Sequence, residues 1–349
     1  MRAVIRSIAR YPSSRVTNST LLVALVLAFA TGVGAVATGS SGGRWVVIAH
    51  GIAAIAVILL IPWKNRVVRY GLRRARASRW ASLLLAALAI TTIVAGLGYT
   101  TGLIRSIGGL YGMWVHVAAA LALAPLLLWH MFRRNAPSAR PRSTDLSRRA
   151  LLRTGLLGAT AAGLYFASDT VVRLAGLPGA DRRFTGSHEI GSHDPDAMPS
   201  TIWLNDTAPT IDPDQWRLTV ADADGRYQLT LPELTGHDTQ LRATLDCTSG
   251  WYAHQDWTGV SVSALIREVG DANSLLVHSV TGYWIRFPAA DIGKLLLATG
   301  VAGQTLARRH GFPLRLVAPN RRGYWWVKWV DRIELQATPP WWQPPFPLA

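Results

Sequence analysis

The chain has 349 residues, of which 50% are hydrophobic and only 16% are charged. Since soluble domains carry roughly 25% charged residues and disordered chains are poor in hydrophobic ones, this composition excludes disorder and leaves a membrane protein open. Residues 1–150 hold 19 basic residues and one acid, whereas residues 151–349 hold 17 basic residues and 19 acids. The basic residues of the first half lie between hydrophobic runs rather than in one stripe, so nucleic-acid binding is not expected.

Four long intervals without a charged residue predict membrane-spanning helices. A helix needs about 20 apolar residues to cross a hydrocarbon layer of about 30 Å. The sequence therefore predicts a four-helix transmembrane domain over residues 1–135. The apolar centres of its helices are Leu21–Ala37, Trp45–Trp63, Trp80–Thr100 and Met113–Phe132.

The number of basic residues alternates between the segments that connect these runs. The N-terminal tail has four, the first and third loops have one each (Arg44 and Arg105), and the segments Lys64–Arg79 and Arg133–Arg153 have seven each. Cytoplasmic loops carry the excess of Lys and Arg. We therefore expect a multi-pass protein of the cytoplasmic membrane with its N-terminus in the cytoplasm.

Three histidines lie inside the predicted spans, where ionisable residues are costly and usually functional. His50 is 14 residues before Lys64 and His116 is 17 before Arg133, so their depths agree within about 5 Å on two helices that run the same way. These two histidines could hold one haem b between them. His130 lies about 21 Å from His116 along the same helix and has no second histidine at its depth. The alternative is that the histidines form hydrogen bonds between helices.

A fifth, milder apolar run covers Thr154–Ser168 and follows the paired arginines Arg148 and Arg149. This order resembles a twin-arginine export signal placed inside the chain, and the alternative is an ordinary basic flank before a short helix. We expect residues 136–180 to form this signal-like helix and a linker, and to carry the rest of the chain to the outer face.

Strands dominate residues 181–338, which predict an α+β domain without βαβ alternation, followed by a Pro- and Trp-rich tail over residues 339–349. Helices are predicted at Val262–Val269 and Ile292–Thr299. The predicted strands are Trp216–Ala221, Tyr227–Leu231, Leu241–Cys247, Ser274–Val280, Tyr283–Phe287, Leu314–Ala318 and Trp326–Leu335.

Cys247 is the only cysteine, so an internal disulfide and a multi-cysteine zinc site are both excluded. A single thiol is an inert core residue, a metal ligand or a nucleophile. A soft thiolate is a suitable ligand for a transition metal. The small neighbours Thr248, Ser249 and Gly250 would let a bulky group approach the backbone.

A group of basic residues surrounds Gly311 and Gly323 in the last third of the chain. A phosphate requires cations and backbone N–H donors. These residues therefore indicate an anion site, and the alternative is a solvated basic loop ahead of a core strand. The group is His310, Arg315, Arg321, Arg322 and Lys328.

Two ordered motifs resemble the sulfite oxidase family of molybdenum enzymes. "LDCTSGWYAHQDWTGVSVSALI" resembles its cysteine segment and "HGFPLRLVAPNRRGYWWVKWVDRIEL" its closing motif, with "GYWIRFPAADIGKLLLATGVAGQTL" fitting between them. The resemblance covers about Phe184–Leu335. It implies a sulfite-oxidase-type fold and a molybdenum–molybdopterin cofactor in this part of the chain.

By this resemblance, Cys247 is the catalytic molybdenum ligand, and the segment "FTGSHEIGS" approaches the cofactor. Two positions depart from the family, because sulfite and nitrate enzymes place an arginine before the cysteine and an asparagine three residues after it. Asp246 and Gly250 stand there instead, and an acid beside the pocket disfavours an anionic substrate. The implied cofactor-binding residues are Thr185, Ser187, His188, Thr248, Ser249, His310, Arg315, Arg321, Arg322, Gly323 and Lys328.

Taken together, these features predict a membrane helical bundle of four spanning helices and a fifth signal-like helix, followed by an α+β, strand-rich molybdopterin domain. We expect an enzyme that acts on a small substrate outside the membrane and exchanges electrons with haem b and a quinone or another membrane carrier. The alternatives are a quinol-fed reductase of sulfoxide-like substrates and a non-catalytic binding domain on a membrane anchor.

Overall fold

The computed structural model describes residues 14–72, 79–133, 148–202 and 206–344. The chain divides into two compact units, one of residues 1–37 and 41–186 and one of residues 38–40 and 187–349. The N-terminal tail, much of both basic segments expected on the cytoplasmic side and the end of the C-terminal tail lie outside the described residues.

The described part of the first unit is built from five long helices. Two of them contain a proline, Pro62 in the second and Pro125 in the fourth. All five are long and apolar enough to cross a membrane, so the predicted membrane bundle is confirmed, with the fifth helix longer than the apolar run alone suggests. The helices are α1 (Ser14–Ala37), α2 (Arg44–Leu72), α3 (Arg79–Thr101), α4 (Gly112–Arg133) and α5 (Arg148–Leu174).

These helices pack as two hairpins and an added helix. In the described part of the chain, the closely packed helix pairs are α1 with α2, α3 with α4, and α2 with α5. A short ribbon of β1 (Ser106–Ile107) and β2 (Leu110–Tyr111) connects α3 to α4. Each hairpin therefore has its own helix–helix interface.

The described part of the second unit contains two sheets around one apolar core, with the short helices α6 (Leu231–Thr235) and α7 (Val262–Leu265) inserted between strands. The strand-rich α+β prediction is confirmed. The strands of one sheet are β4 (Arg217–Asp222), β5 (Gly225–Thr230), β8 (Ser274–Ser279), β9 (Trp284–Pro288) and β13 (Val330–Gln336). Their order in the sheet is β5-β4-β13-β8-β9.

The strands of the other sheet are β3 (His188–Glu189), β6 (Thr239–Asp246), β7 (Trp251–Ser261), β10 (Leu296–Val301), β11 (Gln304–Thr305) and β12 (Arg315–Val317). This sheet is centred on β7, which pairs with β3, β6 and β10. Strand β10 also pairs with β11 and β12. Gly259 makes the β7–β10 pairing possible, because a Cβ at this position would lie 2.1 Å from Leu297 O.

The predictions for three elements of this unit were wrong, either in the type of element or in its extent. The segment Ile292–Thr299 is not a helix, since a 3-10 turn over Ala289–Lys294 leads into β10, whose apolar run is buried between β7 and β12. The helix expected at Val262–Val269 ends at Leu265, after one turn. The last strand begins at Val330 rather than Trp326, because Trp329 has a left-handed backbone with φ +52°.

Candidate active site

Cys247 occupies a tight turn between the two longest strands of the second unit. Strand β6 ends at Asp246 and β7 begins at Trp251, and Cys247 N–H donates to Trp251 O at 2.8 Å. Gly250 N–H donates to Cys247 O, and Gly250 adopts φ +99°, which a residue with a side chain rarely accepts. The thiol is thus held by the hairpin itself, and it is 8% exposed.

A buried ion pair holds the same turn from the other side. Arg322 Nη1 donates to Asp246 Oδ1 at 2.9 Å, Arg322 Nη2 donates to Cys247 O at 3.1 Å, and both side chains of the pair are 3% exposed. The loop approaches closely because its next residue is Gly323, where a Cβ would lie 3.0 Å from Cys247 Cα. The pair compensates the negative charge of Asp246, so the expectation that this acid disfavours an anionic substrate loses its physical basis.

Arg315 brings a second buried cation to this region. It is 2% exposed, its Nη1 donates to His310 O at 3.1 Å, and its guanidinium lies over the rings of Trp257 and Trp326 at 5.3 and 5.7 Å. Burial lowers the pKa of the Arg315 guanidinium to about 10, and the electrostatic effect of Cys247 partly opposes this by raising it. Arg315 Nε forms no hydrogen bond within the described residues, as is also true of Arg322 Nε.

Two further basic residues of the predicted anion site lie near Arg315. Burial, followed by the positive charges of Arg315 and Lys328, lowers the pKa of His310 to about 4, so this imidazole is neutral at pH 7. Burial, and again Arg315, lowers the pKa of Lys328 to about 7. Lys328 Nζ donates to Ser200 Oγ, Thr201 O and Arg309 O at 3.3, 3.0 and 2.8 Å, so its donors are directed at oxygens of this chain.

Ser187 and His188 lie against the cysteine hairpin. Ser187 Oγ donates to Asp246 Oδ1 at 2.7 Å and is fully buried, and His188 N–H donates to Gly250 O at 2.8 Å. Thr248 and Ser249 lie within the turn itself. The segment expected to approach the cofactor is therefore beside Cys247.

One of the other predicted residues has a side chain directed elsewhere. Arg321 Nη2 donates to Asp291 Oδ2 at 2.7 Å, and the Arg321 guanidinium lies over Trp325. Thr185, also predicted to bind the cofactor, is buried within the first unit.

Residues that no sequence motif marked hold the predicted ones in place. Thr201 Oγ1 lies 3.1 Å from Ser249 Oγ and accepts a hydrogen bond from Trp251 Nε1, and Trp257 and Trp326 pack against the Arg315 guanidinium. A signal for Trp251 and Trp257 was available, because they are an even number of residues apart and thus share a face of one strand. No comparable pattern marks Thr201.

In the first unit, the two membrane histidines come together. The ring centroids of His50 on α2 and His116 on α4 are 6.0 Å apart, with the rings nearly perpendicular. Two metal–nitrogen bonds of about 2 Å each, plus the half-ring beyond each nitrogen, come to about 6 Å. The separation therefore suits a metal held between the two imidazoles.

Each histidine is held by the preceding helix of its own hairpin in the same way. His50 Nδ1 is 2.8 Å from Ala28 O, and a Cβ on Gly32 would lie 3.1 Å from His50 Cε1. Ala28 and Gly32 are four positions apart on α1. A hydrogen bond from Nδ1 to a carbonyl fixes the tautomer that leaves Nε2 unprotonated and able to bind a metal.

The second hairpin repeats this arrangement. His116 Nδ1 is 2.7 Å from Thr92 O, and a Cβ on Gly96 would lie 2.8 Å from His116 Nδ1. Again four residues separate the carbonyl from the glycine. The repeated spacing Ala28–Gly32 and Thr92–Gly96 is therefore a sequence signal for the two membrane histidines.

Comparison with known proteins identifies the second unit. The family model for the oxidoreductase molybdopterin binding domain matches residues 205–342, which confirms the resemblance seen in the sequence. Human mitochondrial sulfite oxidase is 27% identical over 165 residues, which cover 37% of this chain and 30% of the relative.

Two further similar proteins differ in kind. YedZ1 of Azospira oryzae, which is named as a subunit of a protein-methionine-sulfoxide reductase, is 28% identical over 136 residues, covering 37% of this chain and 52% of the relative. The sulfane dehydrogenase SoxCD of Paracoccus pantotrophus has a similar solved structure, with 23% identity, a TM-score of 0.36 and coverage of 38% and 40%. The matches to these relatives thus span about a third to a half of their lengths.

Proposed function

We propose, on the premise that residues 205–342 form a molybdopterin-binding oxidoreductase domain of the sulfite oxidase family, that this chain is a membrane-anchored molybdenum oxidoreductase. Its small substrate reacts on the outer face of the cytoplasmic membrane, and its electrons pass to or from the membrane. The observation that carries the proposal is a lone, nearly buried thiol in a rigid hairpin turn, with the buried cations Arg322 and Arg315 in the same region.

The residues of the turn fit a molybdenum–molybdopterin group. Cys247 Sγ would bind the metal, and the group when bound supplies oxygen-atom and electron transfer. Arg315 Nε and Arg322 Nε are buried donors with no hydrogen bond in the described part of the chain, which suits an anionic partner.

The remaining cofactor contacts are proposed from the residues around this turn. Arg322 fixes the Cys247 carbonyl and Arg315 contributes positive charge. His310, neutral at pH 7, would donate or accept a hydrogen bond rather than supply charge. Ser187 and His188 close the site on the β3 side, and Gly323 permits the loop to approach the thiol.

The substrate is proposed to be a small sulfur-containing molecule. The name of the Azospira relative favours a reductase of sulfoxide-like substrates, whereas the name of sulfite oxidase favours an oxidation. The Asp246–Arg322 pair permits a neutral or an anionic substrate, because the acid is compensated. A neutral sulfoxide is further favoured because the arginine that precedes the cysteine in sulfite enzymes, and that would attract an anion, is missing here.

We also propose that His50 and His116 hold one haem b, which would connect the second unit to a quinone in the membrane. The support is the 6.0 Å ring separation, the paired Nδ1 hydrogen bonds to carbonyls, and the glycine beside each ring. Haem supplies one-electron transfer when bound. The two histidines would provide its axial ligands and set their orientation through Ala28 O and Thr92 O.

Molybdenum content tests the enzyme assignment. The full-length chain, purified in detergent, should contain molybdenum close to one atom per chain. Cys247→Ser should lose most of its activity with little change in fold, because a hydroxyl donates charge to the metal far less well than a thiolate. Ser274→Ala, which removes a buried hydroxyl from β8, is the matched control and should retain both metal and activity. A wild-type chain without molybdenum would show a non-catalytic binding domain instead.

Haem absorbance tests the membrane assignment. His50→Ala and His116→Ala should each remove the reduced b-type band from haem-supplied membranes, because either change leaves the iron with one axial ligand. His130→Ala is the matched control and should retain the band, since His130 lies about 21 Å from His116 along α4. Haem-supplied wild-type membranes without this band would refute the haem proposal and leave the molybdenum proposal intact.

A further inference from the structure

We propose that Ser249 is a positioning residue that donates a hydrogen bond to the Cys247 thiolate and raises the reduction potential of the metal which that thiolate holds. We also propose that Thr201 and Trp251 fix the direction of this hydrogen bond. The inference rests on the proposed function, because it requires Cys247 to bind the metal.

Four side chains form a continuous series of contacts that ends at the Cys247 thiol. Trp251 Nε1 donates to Thr201 Oγ1 at 3.1 Å, Thr201 Oγ1 is 3.1 Å from Ser249 Oγ, and Ser249 Oγ is 3.1 Å from Cys247 Sγ. Ser249 is fully buried and Trp251 is 2% exposed. Bulk water therefore does not compete for the Ser249 hydroxyl.

The donor and acceptor chemistry at its two ends gives this series of hydrogen bonds one direction. An indole N–H can only donate, so Thr201 Oγ1 accepts at that end. A metal-bound thiolate has no proton and can only accept, so Ser249 must donate its hydroxyl proton to Cys247 Sγ. The Ser249 oxygen is then free to accept from Thr201. Each hydrogen bond polarises the next, which strengthens the donation to sulfur.

A hydrogen bond to a ligating sulfur changes the metal that the sulfur binds. It withdraws electron density from the thiolate, so the sulfur donates less charge to the metal and the reduced state becomes relatively more stable. Reduction potentials of cysteine-bound metals depend on hydrogen bonds to the sulfur in this way. Removing the Ser249 hydroxyl should thus lower the potential without removing a ligand.

The test is an EPR-monitored redox titration of the Mo(VI)/Mo(V) couple in the full-length chain, with molybdenum per chain measured separately. Ser249→Ala should shift the midpoint to a lower potential and change the Mo(V) g-values. Thr201→Val should shift the midpoint in the same direction by a smaller amount, because Ser249 would still donate but with a less polarised hydroxyl.

Two controls separate this effect from a loss of packing. Thr201→Ser retains Oγ and should retain the wild-type potential. Ser279→Ala removes a buried hydroxyl in the other sheet, where Ser279 contacts Thr281, and should also leave the potential unchanged.

The outcomes are distinct. A metal-loaded Ser249→Ala chain with the wild-type potential would overturn the inference and leave the proposed function standing. If Ser249→Ala loads no metal, the midpoint potentials of Thr201→Val and Thr201→Ser are compared instead. Equal potentials in these two variants would overturn the inference. A wild-type chain that contains no molybdenum would overturn the inference together with the proposed function.

Discussion

At the residue scale, the ion pair of Asp246 and Arg322 controls the cysteine turn. Asp246→Asn would leave the Arg322 guanidinium buried without a counter-charge, which typically costs about 3–5 kcal/mol of folding free energy. We therefore expect a clearly lower urea midpoint for the unfolding of the second unit, followed by tryptophan fluorescence in the full-length chain.

A matched control for this change lies on the same hairpin. Asp256 on β7 pairs with Arg242 on β6, and these side chains are 42% and 74% exposed, whereas Asp246 and Arg322 are buried. Exposed ion pairs contribute little to stability, so Asp256→Asn should change the midpoint much less. Equal losses in the two variants would show that the buried pair does not hold the turn.

At the element scale, the β7–β10 pairing depends on a single missing side chain. Gly259→Ala would place a methyl group 2.1 Å from Leu297 O, so the two central strands must separate or slip. We expect the second unit to lose cooperative unfolding in the full-length chain. Gly293→Ala, where a Cβ meets nothing within 4 Å, should behave like the wild type. A Gly259→Ala chain as stable as the wild type would show that the sheet relaxes around the methyl group.

The same pairing explains why part of the second unit could not be predicted from the sequence. The apolar run Leu295–Ala298 is compatible with a helix or with a central strand, and only its burial between β7 and β12 decides for the strand. Strand β7 was missed because its polar residues, such as His254 and Gln255, interrupt the apolar alternation. The strand that leads to Cys247 and the turn that follows could be predicted, since both depend on local sequence.

The candidate site, like the fold, could be predicted from the sequence only in part. Cys247 and the basic residues could be found from residue type and motif, because their chemistry is unusual for their positions. The partners Asp246–Arg322 and Thr201–Ser249 could not, since they are 76 and 48 residues apart in the chain and no local pattern connects them. Long-range pairs of common residue types require the fold.

At the scale of the whole molecule, the paired arginines at the start of α5 bear on the proposed export of the second unit. We expect Arg148→Lys with Arg149→Lys to block its export, because the change retains the charge but removes the guanidinium pair that a twin-arginine receptor would recognise. Protease accessibility in spheroplasts measures this. The matched control is Arg173→Lys at the other end of α5, which should be exported normally. Normal exposure of the double-lysine chain would mean that the pair is only a basic flank.

The repeated anchoring of His50 and His116 has a consequence for the membrane domain as a whole. Each imidazole is fixed to its own helical hairpin, by Ala28 O in one and Thr92 O in the other. An iron bound by both would act as a removable cross-link between two halves that are already folded, and it would stabilise their association in proportion to haem supply. Haem starvation should then separate the hairpins, with little loss of helix content, well before it unfolds either one.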